Sequence, residues 1–353
     1  YLIIISISIV TSLYLFEAYL STLSREQDHK KRVELINKSG KKYDTRRPFE
    51  IFKDLKKINK DISYTVTPTY FSNKKFELFP LSGVSKKDTI LCNENGYYAF
   101  YESDRYGFNN PDEVWDKQET EYLLVGDSYT LGSCVNRPND ISSVLRTLSK
   151  KSVINIGYGG NGPLKEYASL KEYIPNNVKK VLWMYYEGND LRDLWYEKNS
   201  ILLMKYLEDP KFSQDLISNQ EILDEYKFQF VKKEIHNLKL NKSDSFYKFK
   251  NFIKLKKFRT IFFNQFGDTI RPEETELKVI LNKTKDLTSK KNIKLYFVYL
   301  PEFMRFKKTN YSQINYNEVK TIVRNLNIPF IDINELVFEK QKDKLELFPF
   351  EKF

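Results

Sequence analysis

From residue 120 onward, the hydrophobic positions form short continuous runs separated by amphipathic stretches. The runs lie at residues 122–125, 153–156, 181–185, 293–300 and 329–333. Stretches with helical periodicity lie between several of them, including residues 163–173 and 316–326. Continuous apolar strands separated by helices are typical of a parallel sheet that is covered on both faces. The pattern therefore predicts an α/β domain of three layers, with a parallel sheet between two layers of helices.

The N-terminus has a different pattern, a single long apolar run. Residues 1–16 carry no charge, and the run continues past Glu17 to Leu20. A bilayer core requires about 20 apolar residues, and no small-residue cleavage site follows at residues 21–24. We therefore expect an uncleaved transmembrane anchor at residues 1–24, the alternative being a buried core helix. Since the run begins with Tyr and not with Met, we also expect the start of the anchor to be missing.

The rest of the chain divides into two segments. Residues 25–115 combine a basic helical stalk with a small β-rich lead-in of short aromatic pieces. Residues 116–353 hold the α/β domain. A polar, helix-forming insertion at about residues 195–275 separates its third and fourth strands. We expect this insertion to form either a lid over a substrate or a packing appendage.

Composition and charge narrow the range of partners. Hydrophobic residues make up 41% and aromatic residues 15% of the 353 residues, which indicates a folded protein. The formal net charge is +11, and its densest stretch, residues 30–47, directly follows the anchor. Lipid headgroups account for that stretch better than DNA does, and no RNA- or DNA-binding motif is present. We therefore expect a membrane as a partner, and no nucleic acid.

The chain has two cysteines, Cys92 and Cys134, without the spacing of a metal site. They are either two unrelated buried thiols or a disulfide. A disulfide requires an oxidising compartment, whereas the basic residues after the anchor favour a cytoplasmic domain by the positive-inside rule. The residues before the anchor, which that rule also requires, are absent from the sequence.

The first strand of the predicted sheet leads directly into Gly126-Asp127-Ser128. A serine at the carboxyl end of a parallel strand, ahead of a helix, lies where open α/β sheets bind their ligands. The N–H groups at the start of the helix point to the same place and can stabilise an oxyanion. On its own, the tripeptide fits a helix-capping serine equally well.

The next two strand ends are also rich in glycine and polar residues. The second strand is followed by GYGGNG at residues 157–162, and the third by EGND at residues 187–190. The first of these has the outline of a dinucleotide-binding fingerprint, with Glu187 at the end of the next strand. However, it follows the second strand, Pro163 comes directly after its last glycine, and dinucleotide binding leaves the other two blocks unexplained. Dinucleotide binding is therefore the alternative interpretation.

With these three blocks in this order, the chain resembles the SGNH (GDSL) hydrolase superfamily over about residues 100–350. The resemblance implies the flavodoxin-like parallel sheet of that fold and a nucleophilic serine, Ser128. It also implies an oxyanion hole formed by the N–H groups of Ser128 and Gly160 and by the side-chain amide of Asn189. Each such donor is typically worth about 10²–10³ in rate.

The neighbouring acidic residues Asp127, Glu187 and Asp190 are candidates for substrate binding. The resemblance implies no cofactor, and we expect no metal, because no cluster of Cys or His has metal-ligand spacing.

The fourth block of the family, Asp-x-x-His after the fifth strand, has no counterpart in this sequence. The only histidines are His29, beside the anchor, and His236, in the insertion. We expect a helix at residues 335–344 and the catalytic histidine beyond Phe353, so that the chain is a fragment cut at both ends.

Together these features predict a membrane-anchored serine esterase that cleaves an ester or O-acyl group through an acyl-enzyme. By analogy with anchored members of the superfamily, we expect an acylated small molecule or an extracytoplasmic polysaccharide as the substrate. Two alternatives remain open: an O-acyltransferase acting on a glycan, and a non-catalytic glycan-binding or scaffolding protein that keeps the fold.

Overall fold

The computed structural model describes five stretches of the chain: residues 1–22, 26–71, 77–240, 245–260 and 274–348. Its strands are β1 Ile62–Tyr64, β2 Asp88–Ile90, β3 Phe100–Glu102, β4 Thr120–Gly126, β5 Val153–Asn155, β6 Val178–Tyr186, β7 Lys294–Leu300 and β8 Phe330–Asp332. Its α-helices are α1 Leu2–Thr22, α2 Glu26–Lys38, α3 Pro48–Ile58, α4 Ser128–Leu131, α5 Ile141–Ser149, α6 Pro163–Tyr173, α7 Asp190–Glu197, α8 Ile201–Glu208, α9 Gln220–Leu240, α10 Ser245–Ile253, α11 Glu274–Lys290, α12 Met304–Lys307, α13 Ile314–Asn325 and α14 Ile333–Leu336.

Five parallel strands form the central sheet, in the order β5-β4-β6-β7-β8. Helix α5 packs against β5, α6 against β4, α11 against β7 and α13 against β8. This is the predicted α/β arrangement, and its strand order places β4 between β5 and β6. The loops after these three strands therefore meet at the carboxyl edge of the sheet.

Both faces of the sheet are buried, which explains why its strands appear in the sequence as continuous apolar runs. Leu124, Val153, Met184 and Val298 form one aliphatic cluster. Alternate positions of the strands are aromatic and equally buried. For example, the rings of Tyr185 and Tyr299 are 5.5 Å apart, and those of Tyr185 and Phe297 are 5.3 Å apart.

A second, three-stranded sheet precedes the central one, with β1 parallel to β2 and β2 antiparallel to β3. The residues around it are joined to the α/β core by side-chain hydrogen bonds. Asn109 Nδ2 donates to the carbonyl of Leu131 at 2.8 Å, and Asn110 Nδ2 donates to the carbonyl of Asn155 at 2.8 Å. Cys92 and Cys134 form a disulfide, with 4.8 Å between their Cα atoms.

These contacts give a division of the chain that differs from the three predicted segments. One compact unit comprises Arg46–Lys232 and Pro272–Phe353, and the other comprises Tyr1–Thr45 and Lys233–Arg271. The lead-in of the predicted 25–115 segment thus belongs to the α/β unit, because its polar side chains bond to the loops around β4 and β5. The predicted 195–275 insertion is divided between the two units within α9.

The chain after Ser128 forms two helices: α4 ends at Gly132, which adopts a left-handed conformation with φ of +79°, and α5 starts at Ile141. One helix prediction needs correction. The helix predicted at 335–344 is replaced by α14 and two 3-10 turns, Phe338–Lys340 and Lys344–Leu347, because Asp343 caps a new turn at Leu345.

Candidate active site

Ser128 is the first residue of α4 and is half-buried. A sharp turn brings the chain from β4 into this helix, and Gly126 makes it possible. A Cβ atom on Gly126 would lie 2.2 Å from Thr130 Oγ1 and 2.7 Å from the carbonyl oxygen of Met184. Only a glycine fits so close an approach of two chain segments, which explains the Gly-Asp-Ser order at this strand end.

Asp127 holds the start of α4 and the serine hydroxyl at the same time. Its buried carboxylate accepts hydrogen bonds from the Tyr129 N–H at 2.8 Å and from the Ser128 hydroxyl at 3.3 Å. Burial raises the pKa of the Asp127 carboxyl to about 6, and the nearby carboxylate of Asp193 adds to this, although both hydrogen bonds favour the ionised form. Asp127 therefore orients the Ser128 hydroxyl from the protein interior and does not face a substrate.

The glycine-rich loop at residues 157–162 passes beside Ser128. A Cβ atom on Gly159 would lie 3.9 Å from the Cβ of Ser128. Gly160 has a φ of +81°, and its carbonyl accepts a hydrogen bond from Lys165 Nζ at 2.7 Å. Within the described part of the chain, the N–H groups of Gly159 and Gly160 have no acceptor. The loop thus lies next to the serine and contains two backbone donors that no acceptor in the described part of the chain uses.

Asn189 lies at the third strand end, where it precedes the first residue of α7. One N–H of its side-chain amide donates to Asp193 Oδ2 at 2.6 Å. A carboxamide has two N–H donors, so the other remains for an oxyanion. Helix α7 is close to the glycine loop, since a Cβ on Gly162 would lie 2.8 Å from the Cβ of Asp193. The three sequence blocks therefore meet at one edge of the sheet.

The N-terminus of α6 is already occupied by a carboxylate of the protein. Glu197 of α7 accepts hydrogen bonds from the N–H groups of Gly162 at 2.6 Å and Leu164 at 2.9 Å, and it pairs with Lys165 at 3.3 Å. A dinucleotide-binding fingerprint needs the start of this helix for a pyrophosphate. The buried Glu197 (1% exposed) takes that place, which argues against the dinucleotide interpretation of the glycine loop.

Other buried acids lie below the serine. Glu166 and Asp190 are fully buried, and burial raises the pKa of each carboxyl well above its usual value. The carboxylate of Asp127 raises both pKa values further, and that of Glu166 adds to the rise at Asp190. Asp190 Oδ2 accepts a hydrogen bond from the Tyr186 N–H at 2.8 Å. Among the described residues, no group of three or more His, Cys, Asp or Glu side chains could hold a metal ion.

Glu187 forms a buried ion pair with Arg305, which lies beyond the end of β7. Arg305 Nε donates to Glu187 Oε2 at 2.8 Å, and the guanidinium lies between the rings of Tyr311 and Tyr316, at 5.2 and 4.8 Å from their centroids. This pair fixes the strand end that precedes Gly188 and Asn189. Glu187 and Asp190, like Asp127, are thus buried and engaged within the protein, and we correct their expected role from substrate binding to support of the site.

A pair of tyrosines forms one side of the site. Tyr129 follows the serine, and Tyr186 ends β6. Their rings are stacked with centroids 4.0 Å apart, and the Tyr129 hydroxyl donates to the Tyr186 hydroxyl at 3.1 Å. Tyr129 is 46% exposed, so its ring presents an aromatic surface to the solvent beside Ser128.

Several of these residues could not be selected from the sequence. Glu166, Asp193 and Glu197 have the spacing of ordinary helix residues, and nothing in the sequence indicates that α6 is buried on every side. Arg305 lies more than a hundred residues from Glu187. The Tyr129–Tyr186 contact could have been inferred from the sequence, because each tyrosine is next to one of the three sequence blocks.

Both histidines of the sequence belong to the unit that contains α1. His236 is exposed on α9. The side chain of His29 and residues 349–353 lie outside the described residues. The histidine expected beyond Phe353 therefore stays a prediction.

No protein-family model and no curated protein sequence matches the chain. Among solved structures it is similar to AlinE4, an SGNH-hydrolase family esterase, with a TM-score of 0.35 and 11% identity over 64% of this chain and 85% of the esterase. It is also similar to a lipolytic protein of the G-D-S-L family from Desulfitobacterium hafniense, with a TM-score of 0.18 and 15% identity over 33% of this chain and 74% of that protein. At these TM-scores, the two structures carry no argument about the function of this chain.

Proposed function

We propose that the protein is a serine-dependent ester or O-acyl hydrolase. The observation that carries this proposal is the position of Ser128, a half-buried serine at a strand end, beside a glycine loop whose Gly159 and Gly160 N–H groups have no acceptor among the described residues. An acyl-transfer site needs a nucleophile and hydrogen-bond donors that converge on the developing oxyanion.

In the proposed reaction, Ser128 Oγ attacks the carbonyl carbon of the ester and the hydroxyl proton passes to a base. The N–H groups of Ser128 and Gly160 and the second amide N–H of Asn189 stabilise the oxyanion. Collapse of the tetrahedral intermediate expels the alcohol, which takes up a proton and leaves an acyl group on Ser128. Water then attacks this ester, releases the acid and restores the serine. We propose a histidine as this base.

The exposed ring of Tyr129 supports a glycan as the carrier of the acyl group. Sugar rings present apolar C–H faces that pack on aromatic rings, and Tyr129 offers such a ring next to the nucleophile. The same feature supports the second candidate, an O-acyltransferase in which a sugar hydroxyl replaces water in the second step.

The disulfide and the apolar helix α1 support an extracytoplasmic, membrane-anchored location. Disulfides persist in oxidising compartments, and Cys92 is bonded to Cys134. Among the described residues, one helix is long and apolar enough to cross a membrane, at Leu2–Ser21.

The proposal is tested by turnover of p-nitrophenyl acetate, measured with and without imidazole as a substitute for the histidine base. Turnover should exceed that of buffer with the same imidazole, and the Ser128→Ala variant should lose it by at least about 10³-fold. Ser149→Ala, at the end of α5, is the matched control and should keep the wild-type rate. An active Ser128→Ala variant would rule out the mechanism. Transfer of the acyl group to added glycan in preference to water would favour the transferase.

A further inference from the structure

The apolar helix α1 has partners within its own unit, and those among the described residues contact its C-terminal half. The helix contains 21 residues, a length of about 31 Å at 1.5 Å per residue, which matches the hydrocarbon core of a bilayer. Its first half is highly exposed in the protein, with Ile3 at 76%. Among the described residues, its partners lie from Tyr14 onward, in the second half of the helix, which leads to a membrane–water interface if α1 spans the bilayer.

These partners are α10 and the helical residues that follow it, which come from the long insertion of the α/β domain. The Tyr14 hydroxyl donates to the carbonyl of Ile253 at 3.0 Å, and the Tyr14 ring contacts that of Phe252 at 5.6 Å. The rings of Phe16 and Phe258 meet at 6.1 Å. The segment 245–260 is therefore attached to α1 by specific contacts on both of its halves.

Glu17, the one acidic residue of α1, completes this attachment. Its buried carboxylate accepts hydrogen bonds from the N–H groups of Lys257 at 3.0 Å and Phe258 at 2.7 Å. Lys257 Nζ donates in turn to the carbonyl of Leu20 at 3.0 Å. A charge in an apolar helix is costly unless it is satisfied. Here the carboxylate caps the start of a second helix. This holds the second helix beside the C-terminal part of α1.

The composition of residues 245–260 also favours a position at a membrane surface. The segment has six basic residues, five aromatic residues and no acidic residue. On α10, Phe249 and Ile253 are exposed at 58% and 50%, and they are four residues apart, so they lie on one side of the helix. Lys250 and Lys254 are also exposed and also four residues apart, and each directly follows one of these two apolar residues. An apolar stripe edged by lysines is typical of helices that lie in the surface of an anionic membrane.

We propose that residues 245–260 form an interfacial element that binds anionic phospholipid headgroups beside α1. Phe249 and Ile253 enter the boundary between headgroups and acyl chains, while Lys250 and Lys254 contact the lipid phosphates. Attached to α1 through Glu17 and Tyr14, the element lies where aromatic and basic side chains are favoured in membrane proteins. This gives part of the long insertion a function that is independent of the proposed esterase.

The test places the 353-residue chain in phosphatidylcholine vesicles, with or without phosphatidylglycerol, that contain acyl-brominated phosphatidylcholine. Since both native cysteines are in a disulfide, a Phe249→Cys variant is labelled selectively with the fluorophore NBD under non-reducing conditions. Leu148→Cys, an equally apolar exposed position in the other unit, is the control for labelling. The bromine atoms should quench the label at position 249 in the phosphatidylglycerol vesicles, and the label at 148 only weakly.

Adding Lys250→Gln and Lys254→Gln to the labelled variant should reduce this quenching. Each basic residue near an anionic surface strengthens attachment by about fivefold, so the pair changes the ratio of bound to unbound element by about thirtyfold. Lys278→Gln with Lys290→Gln removes the same charge from exposed positions of α11 and should have no effect. Equal quenching of the labels at positions 249 and 148 would overturn the proposal. Quenching of the label at 249 that is the same with and without phosphatidylglycerol would also overturn it. A signal that depends on protein density instead of lipid composition would show that a second copy covers this face, and would also overturn it.

Discussion

At the scale of single residues, the site depends on Asp127, which connects the serine to the fold. Its carboxylate accepts hydrogen bonds from the Ser128 hydroxyl and from the Tyr129 N–H. The first bond sets the direction of the nucleophile, and the second holds the start of α4. The carboxylate is buried, so both bonds depend on its ionisation more strongly than they would at a surface.

We expect hydrolysis to depend on pH through Asp127. Burial raises the pKa of its carboxyl to about 6, so kcat/KM should increase as the pH is raised through about 6, because the ionised carboxylate accepts the hydrogen bond that orients the Ser128 hydroxyl. Asp127→Asn should lower the rate and change this part of the pH profile. Asp140→Asn, which alters a similarly buried capping residue of α5, should leave the profile as in the wild type. An unchanged profile for Asp127→Asn would show that this carboxyl does not control the serine.

The role of Asn189 is tested by removing its amide. Asn189→Ala should lower kcat by about 10²–10³-fold with a much smaller effect on KM, because the amide would stabilise charge that develops in the transition state. The Ala variant of Asn199, an exposed asparagine just beyond α7, should have wild-type kinetics. A kcat close to that of the wild type for Asn189→Ala would remove Asn189 from the oxyanion hole.

At the scale of elements, two buried ion pairs hold the strand ends in place. Glu197 joins α7 to the start of α6, and Glu187 joins the end of β6 to Arg305. Each carboxylate is almost completely buried. Such pairs add little net stability compared with apolar packing, but breaking one leaves an uncompensated charge in the interior.

Arg305→Met should therefore destabilise the protein by about 3–5 kcal/mol, because Glu187 would remain buried without its partner. Chemical denaturation followed by circular dichroism measures this difference. The matched control is Lys57→Met, which breaks the exposed pair with Asp54 and should leave the free energy of unfolding close to that of the wild type. Equal effects of the two substitutions would contradict the structural role of the Glu187–Arg305 pair.

The elements of the sheet were predictable from the sequence, because a strand buried on both faces leaves an unbroken apolar run. The prediction at 181–185 corresponds to β6 at Val178–Tyr186, and the helix predicted at 163–173 corresponds to α6 at Pro163–Tyr173. The supports of the site were not predictable in this way. Glu166 and Glu197 have no local pattern that separates them from solvated helix residues, and their burial depends on contacts made by distant segments.

At the scale of the whole molecule, the chain divides into two units that do not follow its linear order. The α/β unit takes in residues 46–115, and the unit of α1 takes in residues 233–271 from the insertion. Sequence patterns report local structure, so they could not show that segment 245–260 bonds to α1. The disulfide is also a long-range feature, since it joins residues 42 positions apart.

Loss of the disulfide should destabilise the α/β unit. The Cys92→Ser/Cys134→Ser variant should lose about 4 kcal/mol in the free energy of unfolding, because the unfolded chain is no longer constrained by the closed loop. Thermal unfolding in the absence of reductant measures the effect. The wild-type protein in dithiothreitol should approach the same midpoint, while the double variant should not respond to the reductant. A midpoint unaffected by both changes would contradict the stabilising role.

The most direct test of the central claim is whether Ser128 becomes covalently modified as a nucleophile. The protein is incubated with a fluorophosphonate, with imidazole present, and the modified peptide is identified by mass spectrometry. We predict modification at Ser128, none at Ser149, and little at either position after denaturation in urea, because only the folded site activates the serine. If Ser128 remains unmodified under conditions in which the folded protein is intact, or if it reacts no faster than Ser149, the proposed serine-dependent mechanism is wrong.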